Sequence, residues 1–184
     1  RRAGQASGIG LAPGPRRPEV PGSMTLPAVV LGLSLLVAAP AEPRILPASE
    51  ATSLVSIAGS GKPVVLHFWA TWCGACKEEF PRIRKTLATL PAKGIAVLLV
   101  SIDKPQDLAR VKKDLRRFKV DALPSVVLDA PEPDPVATAI GDPAWDGTLP
   151  STFVFDAKGK LRKSFIGKTN PGALSGAAQA IVEQ

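Results

Sequence analysis

Residues 68–81 read FWATWCGACKEEFP and hold Cys73 and Cys76, the two cysteines of this 184-residue chain. Just upstream, PVVLHFWA (Pro63–Ala70) is a nearly continuous apolar run, rich in β-branched and aromatic residues, as a buried strand is. Downstream, the charged and apolar residues alternate at helical spacing toward Leu90, and Pro81 is expected to bend that helix. The pair therefore sits at a strand-to-helix junction, with Cys73 in the first helical turn. Unpaired N–H groups and the helix dipole favour an anion there. They lower the pKa of a thiol, and the thiolate is its reactive form. Cys76 lies one turn deeper, close enough to bridge Cys73 and better shielded. Spacing and placement fit a dithiol in which Cys73 attacks and Cys76 resolves.

Two other uses of the pair compete. A purely structural disulfide over so few residues would constrain little chain. A zinc site needs four ligands, and the only further soft ligand is His67, the sole histidine, on the preceding strand. No metal is expected.

Working outward, a helix is expected over Glu50–Ala58, capped by Ser49 and closed by Gly59 and Gly61. IAVLLVSI (Ile95–Ile102) reads as a second buried strand, Asp107–Lys119 as an amphipathic helix, and SVVLDA (Ser125–Ala130) as a third strand. A Pro- and Asp-rich connection over 131–147 has room for one helical turn near Val136–Ile140. STFVFD (Ser151–Asp156) and KLRKSFIG flank a turn at Ala157–Gly159 as a hairpin. Ala173–Val182 closes the chain as a helix. Strands alternating with helices, then a hairpin, predict an α/β fold: a mostly parallel sheet covered on both faces, with an antiparallel edge. The basic residues Arg110, Lys112, Lys113, Arg116, Arg117 and Lys119 form a solvated helix face or, alternatively, a surface for an acidic partner.

The chain carries 23 Lys plus Arg against 16 Asp plus Glu. Residues 1–23 are rich in Gly, Pro and Arg without hydrophobic period and read as disordered. After Met24 comes LPAVVLGLSLLVAA (Leu26–Ala39), then Ala39-Pro40-Ala41. That is the pattern of a secretory signal peptide cleaved near Ala41, or of a membrane anchor if left uncleaved, though short for a span. Residues 42–184 make one domain. Their net charge of +4 is too modest to argue for nucleic acid.

The segment FWATWCGACKEEFP resembles the active-site stretch of the thioredoxin superfamily, and most nearly its TlpA/ResA-like thiol-disulfide oxidoreductases. A second stretch, TLPSTFVFDAKGKLRKSFIG (148–167), resembles that family's cis-proline strand and following hairpin. The resemblance implies a thioredoxin fold: a central mixed sheet flanked by helices, with a short insertion before the cis-proline strand. It implies that Pro150, rather than Pro124 of the other Leu-Pro-Ser, is the cis-proline. It further implies that Leu149 and Pro150, with Trp72, Gly74 and Ala75, contact substrate, Leu149 through its backbone. Trp69 matches a core position, whereas Trp145 matches nothing. His67 and Glu79 match positions near the cysteines and are candidates for a proton relay. Their alternatives are a satisfied core histidine and a solvated helix residue. Lys77 reads as solvated. The family's usual N-terminal β-hairpin is missing, because 42–60 reads as a turn and a helix.

The function implied is an exported, periplasmic or tethered oxidoreductase that reduces disulfides of other proteins, in cytochrome c maturation for instance. A membrane thiol reductase would be its electron donor, because an exported reductase works in an oxidising compartment. No cofactor is implied, the membrane enters only through an uncleaved anchor, and a monomer is expected. The alternatives are a disulfide oxidant or isomerase, and a thioredoxin-fold binding module in which the redox pair is incidental.

Overall fold

The computed structural model describes residues 8, 10, 13–15 and 42–182. The expectations for 1–41, disorder and then a signal or anchor, fall almost wholly outside the described residues. Among the described residues no helix is long and apolar enough to cross a membrane.

The sheet has six strands: β1 (Arg44–Pro47), β2 (Val64–Trp69), β3 (Ala96–Ser101), β4 (Ser125–Asp129), β5 (Ser151–Phe155) and β6 (Leu161–Ile166), in spatial order β1-β4-β3-β2-β5-β6. β2 pairs parallel with β3 and antiparallel with β5. β3–β4 and β1–β4 are parallel, and β5–β6 is the antiparallel hairpin. Every residue of β2 is buried, which accounts for its unbroken apolar run.

Among the described residues five α-helices connect and cover the sheet: α1 (Leu54–Gly59), α2 (Gly74–Thr89), α3 (Leu108–Phe118), α4 (Asp134–Ala139) and α5 (Pro171–Ala180). Side chains alternate along β2, so its two faces enter two cores. Val65 and Trp69 join Phe80, Ile83 and Leu87 of α2, Val111 and Leu115 of α3, and Leu174 of α5. Val64, Leu66 and Phe68 join Leu54, Val136, Trp145 and Phe153. The helices thus lie on both faces, as the alternation of elements requires, and α2 runs through Pro81 to Thr89.

Two local expectations are corrected. The segment after Glu42 is a strand, β1, before any helix begins. Its sequence RILP turns only Leu46 inward, while Ile45 is 47% exposed. One buried residue in four gives too little alternation to read; backbone pairing with β4 makes the strand. Ser49 caps nothing. It lies within a 3-10 turn, Ala48–Ser53, which feeds α1 without a side-chain cap. Ser60, in the left-handed region at φ 45°, closes α1 ahead of Gly61 at φ 85°. On α3, Arg110, Lys113, Arg116 and Arg117 are exposed. Arg110 pairs with Asp107 at 3.4 Å and Lys112 pairs with Glu42.

Trp145, unplaced by sequence, is buried beneath the connection before β5. Its ring packs on Phe68 (5.0 Å) and Phe153 (5.5 Å), and its indole N–H donates to the Thr148 carbonyl at 3.0 Å. Phe153 is the centre of this aromatic cluster, fully buried between Phe68 and Trp145. Truncation to Phe153→Ala is expected to cost about 3–5 kcal/mol of stability, through lost burial and the cavity left behind. Urea denaturation of the protein measures it, and a loss below about 1 kcal/mol would contradict this packing.

Candidate active site

The site is built where β2 ends. Past Trp69 the chain turns through Ala70–Trp72, and one buried carboxylate holds that turn. Asp103, just beyond β3, accepts the Thr71 backbone N–H at 2.8 Å and the Thr71 hydroxyl at 2.6 Å. It also accepts the Ser101 hydroxyl at 2.7 Å. The ends of the two parallel strands are thereby tied together. Sequence reasoning missed this contact, because its partners lie 32 residues apart.

Cys73 is the N-cap of α2, with extended backbone (φ −79°, ψ 106°). A side-chain acceptor at this position satisfies one of the free N–H groups of the first turn. Here the acceptor is sulfur: Cys73 Sγ takes the Cys76 N–H at 3.0 Å. Cys73 and Cys76 form a disulfide, with Cα atoms 5.3 Å apart. Cys76 is fully buried and Cys73 nearly so, while Trp72 beside them is 65% exposed. Gly74 is exposed and Ala75 half-buried. Lys77 is exposed.

The Leu149–Pro150 peptide is cis. Ser151 pairs with Phe68, so Pro150 enters the sheet where β2 leaves it for the cysteines. The loop before it is held by the Thr148 carbonyl, which accepts the Trp145 indole N–H and the Ser151 hydroxyl (2.7 Å). Gly147 in this loop has φ 85°, and a Cβ there would stand 3.0 Å from Pro133 Cβ, so any other residue would be strained and tightly packed. Alongside lies a cleft of about 730 Å³, running from Trp72 past Lys104, Asp107, Asp129 and Glu132 to Trp145.

His67 and Glu79 approach each other in the core, Glu79 from the helix that carries Cys76. Glu79 is one helical turn beyond Cys76 and only 1% exposed, which overturns the solvated alternative. Its Oε1 accepts the Thr169 backbone N–H, and its Oε2 lies 3.7 Å from His67 Nε2. His67 Nδ1 is 2.9 Å from Thr152 Oγ1, and the Thr169 hydroxyl reaches Thr152 Oγ1 at 3.3 Å. The imidazole also stands edge-on to Phe80 at 5.2 Å. His67 is thus half satisfied as a core histidine: Nε2 has no hydrogen-bond partner, and neither has Glu79 Oε2. Burial pushes Glu79 up to about 7, against the Thr169 hydrogen bonds and the Lys168 charge. Burial pushes His67 down to about 3. Thr152 and Thr169 were not foreseen, although a threonine amid the apolar run STFVF was a usable signal. Among the described residues no group of three or more His, Cys, Asp or Glu is placed to hold a metal ion.

Residues 44–164 match the AhpC/TSA family. The chain is similar to the thiol-disulfide oxidoreductase ResA of Geobacillus thermodenitrificans, 35% identical over 107 residues, which is 58% of this chain and 56% of that protein. It is also similar to sporulation thiol-disulfide oxidoreductase A of Bacillus subtilis, 26% identical over 113 residues, 61% of this chain and 64% of that protein. The chain thus spans less than two thirds of the length of these relatives. Among solved structures, a thioredoxin-related protein from Neisseria meningitidis serogroup B matches with a TM-score of 0.55 at 21% identity, covering 66% of this chain and 86% of that one. That likeness is one of fold.

The buried pair makes stability depend on pH in a definite way. Unfolded, His67 charges near 6.5; folded, it stays neutral down to about 3, so protons favour unfolding between those values. Glu79 binds its proton near 4.5 unfolded and near 7 folded, so protons favour folding over that interval. Between 4.5 and 6.5 the two slopes oppose and nearly cancel. In Glu79→Gln only the histidine slope remains. Stability of that variant should fall on acidification from 6.5 toward 4.5, by up to about 1.4 kcal/mol per pH unit. Denaturant melts at stepped pH read the slope, and a profile as flat as the parent's would contradict it.

Proposed function

The chain belongs to the AhpC/TSA family and has the thioredoxin fold, and from that premise we propose that it is an exported thiol-disulfide oxidoreductase reducing disulfides of other proteins. The observation that carries the reading is the Cys73–Cys76 disulfide at the start of α2, with Cys73 Sγ accepting a helix N–H. In the reduced protein that same N–H and the helix terminus would stabilise a Cys73 thiolate. The similarity to proteins named thiol-disulfide oxidoreductases supports the same class.

In this reading the Cys73 thiolate attacks one sulfur of a substrate disulfide. A mixed disulfide forms and the other substrate sulfur leaves as a thiolate, taking up a proton. Cys76 then loses its proton, attacks Cys73 Sγ, and releases the second substrate sulfur as a thiol. Two electrons have passed to the substrate, and the Cys73–Cys76 disulfide remains. Glu79 and His67 are the proton-relay groups for Cys76. Trp72, Gly74 and Ala75 border the sulfur, and the Leu149 backbone beside Pro150 offers an edge to an extended substrate segment. A membrane thiol reductase returns the pair to the dithiol, which an oxidising compartment demands of a reductase. The apolar run Leu26–Ala39 supports export, and cytochrome c maturation is the pathway this set of properties suits.

Cys73→Ser should abolish reduction of insulin by dithiothreitol-fed protein. Cys76→Ser should instead accumulate mixed disulfides, visible on non-reducing gels. Turnover by Cys73→Ser would refute the assignment of the nucleophile. Equilibration of the pair in thiol buffers, read by Trp fluorescence, sets the direction. A potential near −270 mV, about that of thioredoxin, fits a reductase, and one near −120 mV, about that of a strong oxidant, reverses the reading.

A further inference from the structure

Four buried side chains from four parts of the fold stand in a ring with one open link. His67 comes from β2, Thr152 from β5, Thr169 from the segment before α5, and Glu79 from α2. Going round, His67 Nδ1 meets Thr152 Oγ1 at 2.9 Å, and Thr152 Oγ1 meets Thr169 Oγ1 at 3.3 Å. Thr169 bonds Glu79 through its backbone N–H, and its hydroxyl also lies within reach of that carboxylate. Glu79 Oε2 returns to His67 Nε2 at 3.7 Å. All four residues are no more than 6% exposed. The last gap is the one open link, and the two atoms flanking it are the ones without partners. The terminal torsion of a glutamate is soft, and a shift of less than about 1 Å makes the bond.

A hydroxyl both donates and accepts, and a neutral imidazole does one at each nitrogen. The ring can therefore be satisfied in two senses. With Glu79 ionised, Oε2 can only accept, so Nε2 carries the imidazole proton. Nδ1 then accepts from the Thr152 hydroxyl, and Thr152 accepts from Thr169. With Glu79 protonated on Oε2, its O–H donates to Nε2, so the imidazole proton must sit on Nδ1. Nδ1–H then donates to Thr152, Thr152 to Thr169, and Thr169 to Glu79. The two states differ by one proton, which resides on Glu79; His67 is neutral in both.

We propose that this ring is a tautomer switch: protonation of Glu79 moves the His67 proton from Nε2 to Nδ1 and reverses both threonine hydroxyls. His67 is accordingly a positioning residue that supplies each state of Glu79 with its complementary partner. The inference deepens the proposed function, because it rests on Glu79 handling the Cys76 proton. Thr152 lies two residues beyond Pro150, so the switch reaches the strand that follows the cis peptide.

The other groups facing Glu79 do not supply this complement. Cys76 and Cys73 on its own helix do not titrate while bridged. Lys168, from the segment before α5, lowers the carboxyl but is engaged with Glu78 at 2.9 Å. Arg82 and Lys168 border, with Glu79, a small pocket of about 230 Å³. From β2, the Trp69 ring and His67 face Phe80 rather than offering a further charge.

One histidine in the chain makes the test direct. Long-range ¹H–¹⁵N spectra of the ¹⁵N-labelled, oxidised protein distinguish the two neutral tautomers and the imidazolium. At about pH 9 the Nε2–H pattern is expected, and at about pH 5 the Nδ1–H pattern, two units either side of the Glu79 carboxyl near 7. The exchange should share its midpoint with the Glu79 side-chain ¹³C signal. In Glu79→Gln the tautomer should no longer change with pH. One tautomer across the whole range, or an imidazolium forming near 6.5, overturns the proposal. The spectra need no turnover. A protein inactive toward disulfides leaves the switch standing, and a fixed tautomer leaves the dithiol chemistry standing.

Discussion

The placement of β2 between a parallel and an antiparallel neighbour is the constraint on which the site depends. A parallel neighbour, β3, ends where β2 ends; an antiparallel neighbour, β5, begins there. Three chain passages therefore reach one edge of the sheet: the cysteine turn, the Ser101–Asp103 corner and the Leu149–Pro150 entry. Open α/β sheets place their ligands outside the carboxyl ends of their strands for this reason. The hydrogen bonds from Thr71 to Asp103 then fix the cysteine turn against its neighbour. Because Asp103 is 1% exposed and accepts three hydrogen bonds there, the turn cannot move without leaving a buried carboxylate short of partners.

What was legible in the sequence was whatever repeats locally. β2 and β3 announce themselves as apolar runs because both of their faces are buried. The burial of Glu79 was also within reach: Cys76, Glu79, Phe80, Ile83 and Leu87 follow the helical period, whereas Glu78 falls off the stripe and meets solvent and Lys168. β1 was not legible, since its sequence buries only Leu46. Nor was the Thr152 contact with His67, because the partners are 85 residues apart and meet only once the antiparallel register is known. The role of Trp145 depends likewise on Phe68 and Phe153, which flank it only in the folded chain.

The two cysteines are equivalent in composition and unequal in setting. Cys73 caps α2, where the helix end stabilises a negative sulfur, and exposed Trp72 precedes it in the loop. Cys76 lies within α2, belongs to the same core cluster as Phe80 and Trp69, and is fully buried. Desolvation disfavours a thiolate there. In the proposed function this inequality assigns the attack to Cys73 and the resolution to Cys76.

The proposed division of labour leaves the Cys76 proton to be handled inside the core. In the proposed function a buried Cys76 thiol needs a proton acceptor within the core. Glu79 is one helical turn away, and its carboxyl, pushed up to about 7, is able to take a proton at neutral pH. A buried carboxylate is expensive unless it is hydrogen-bonded. The polar ring limits that cost by giving Glu79 a partner in either protonation state, while burial keeps the imidazole from adding a charge of its own. In the proposed function that arrangement serves the movement of one proton between Glu79 and Cys76.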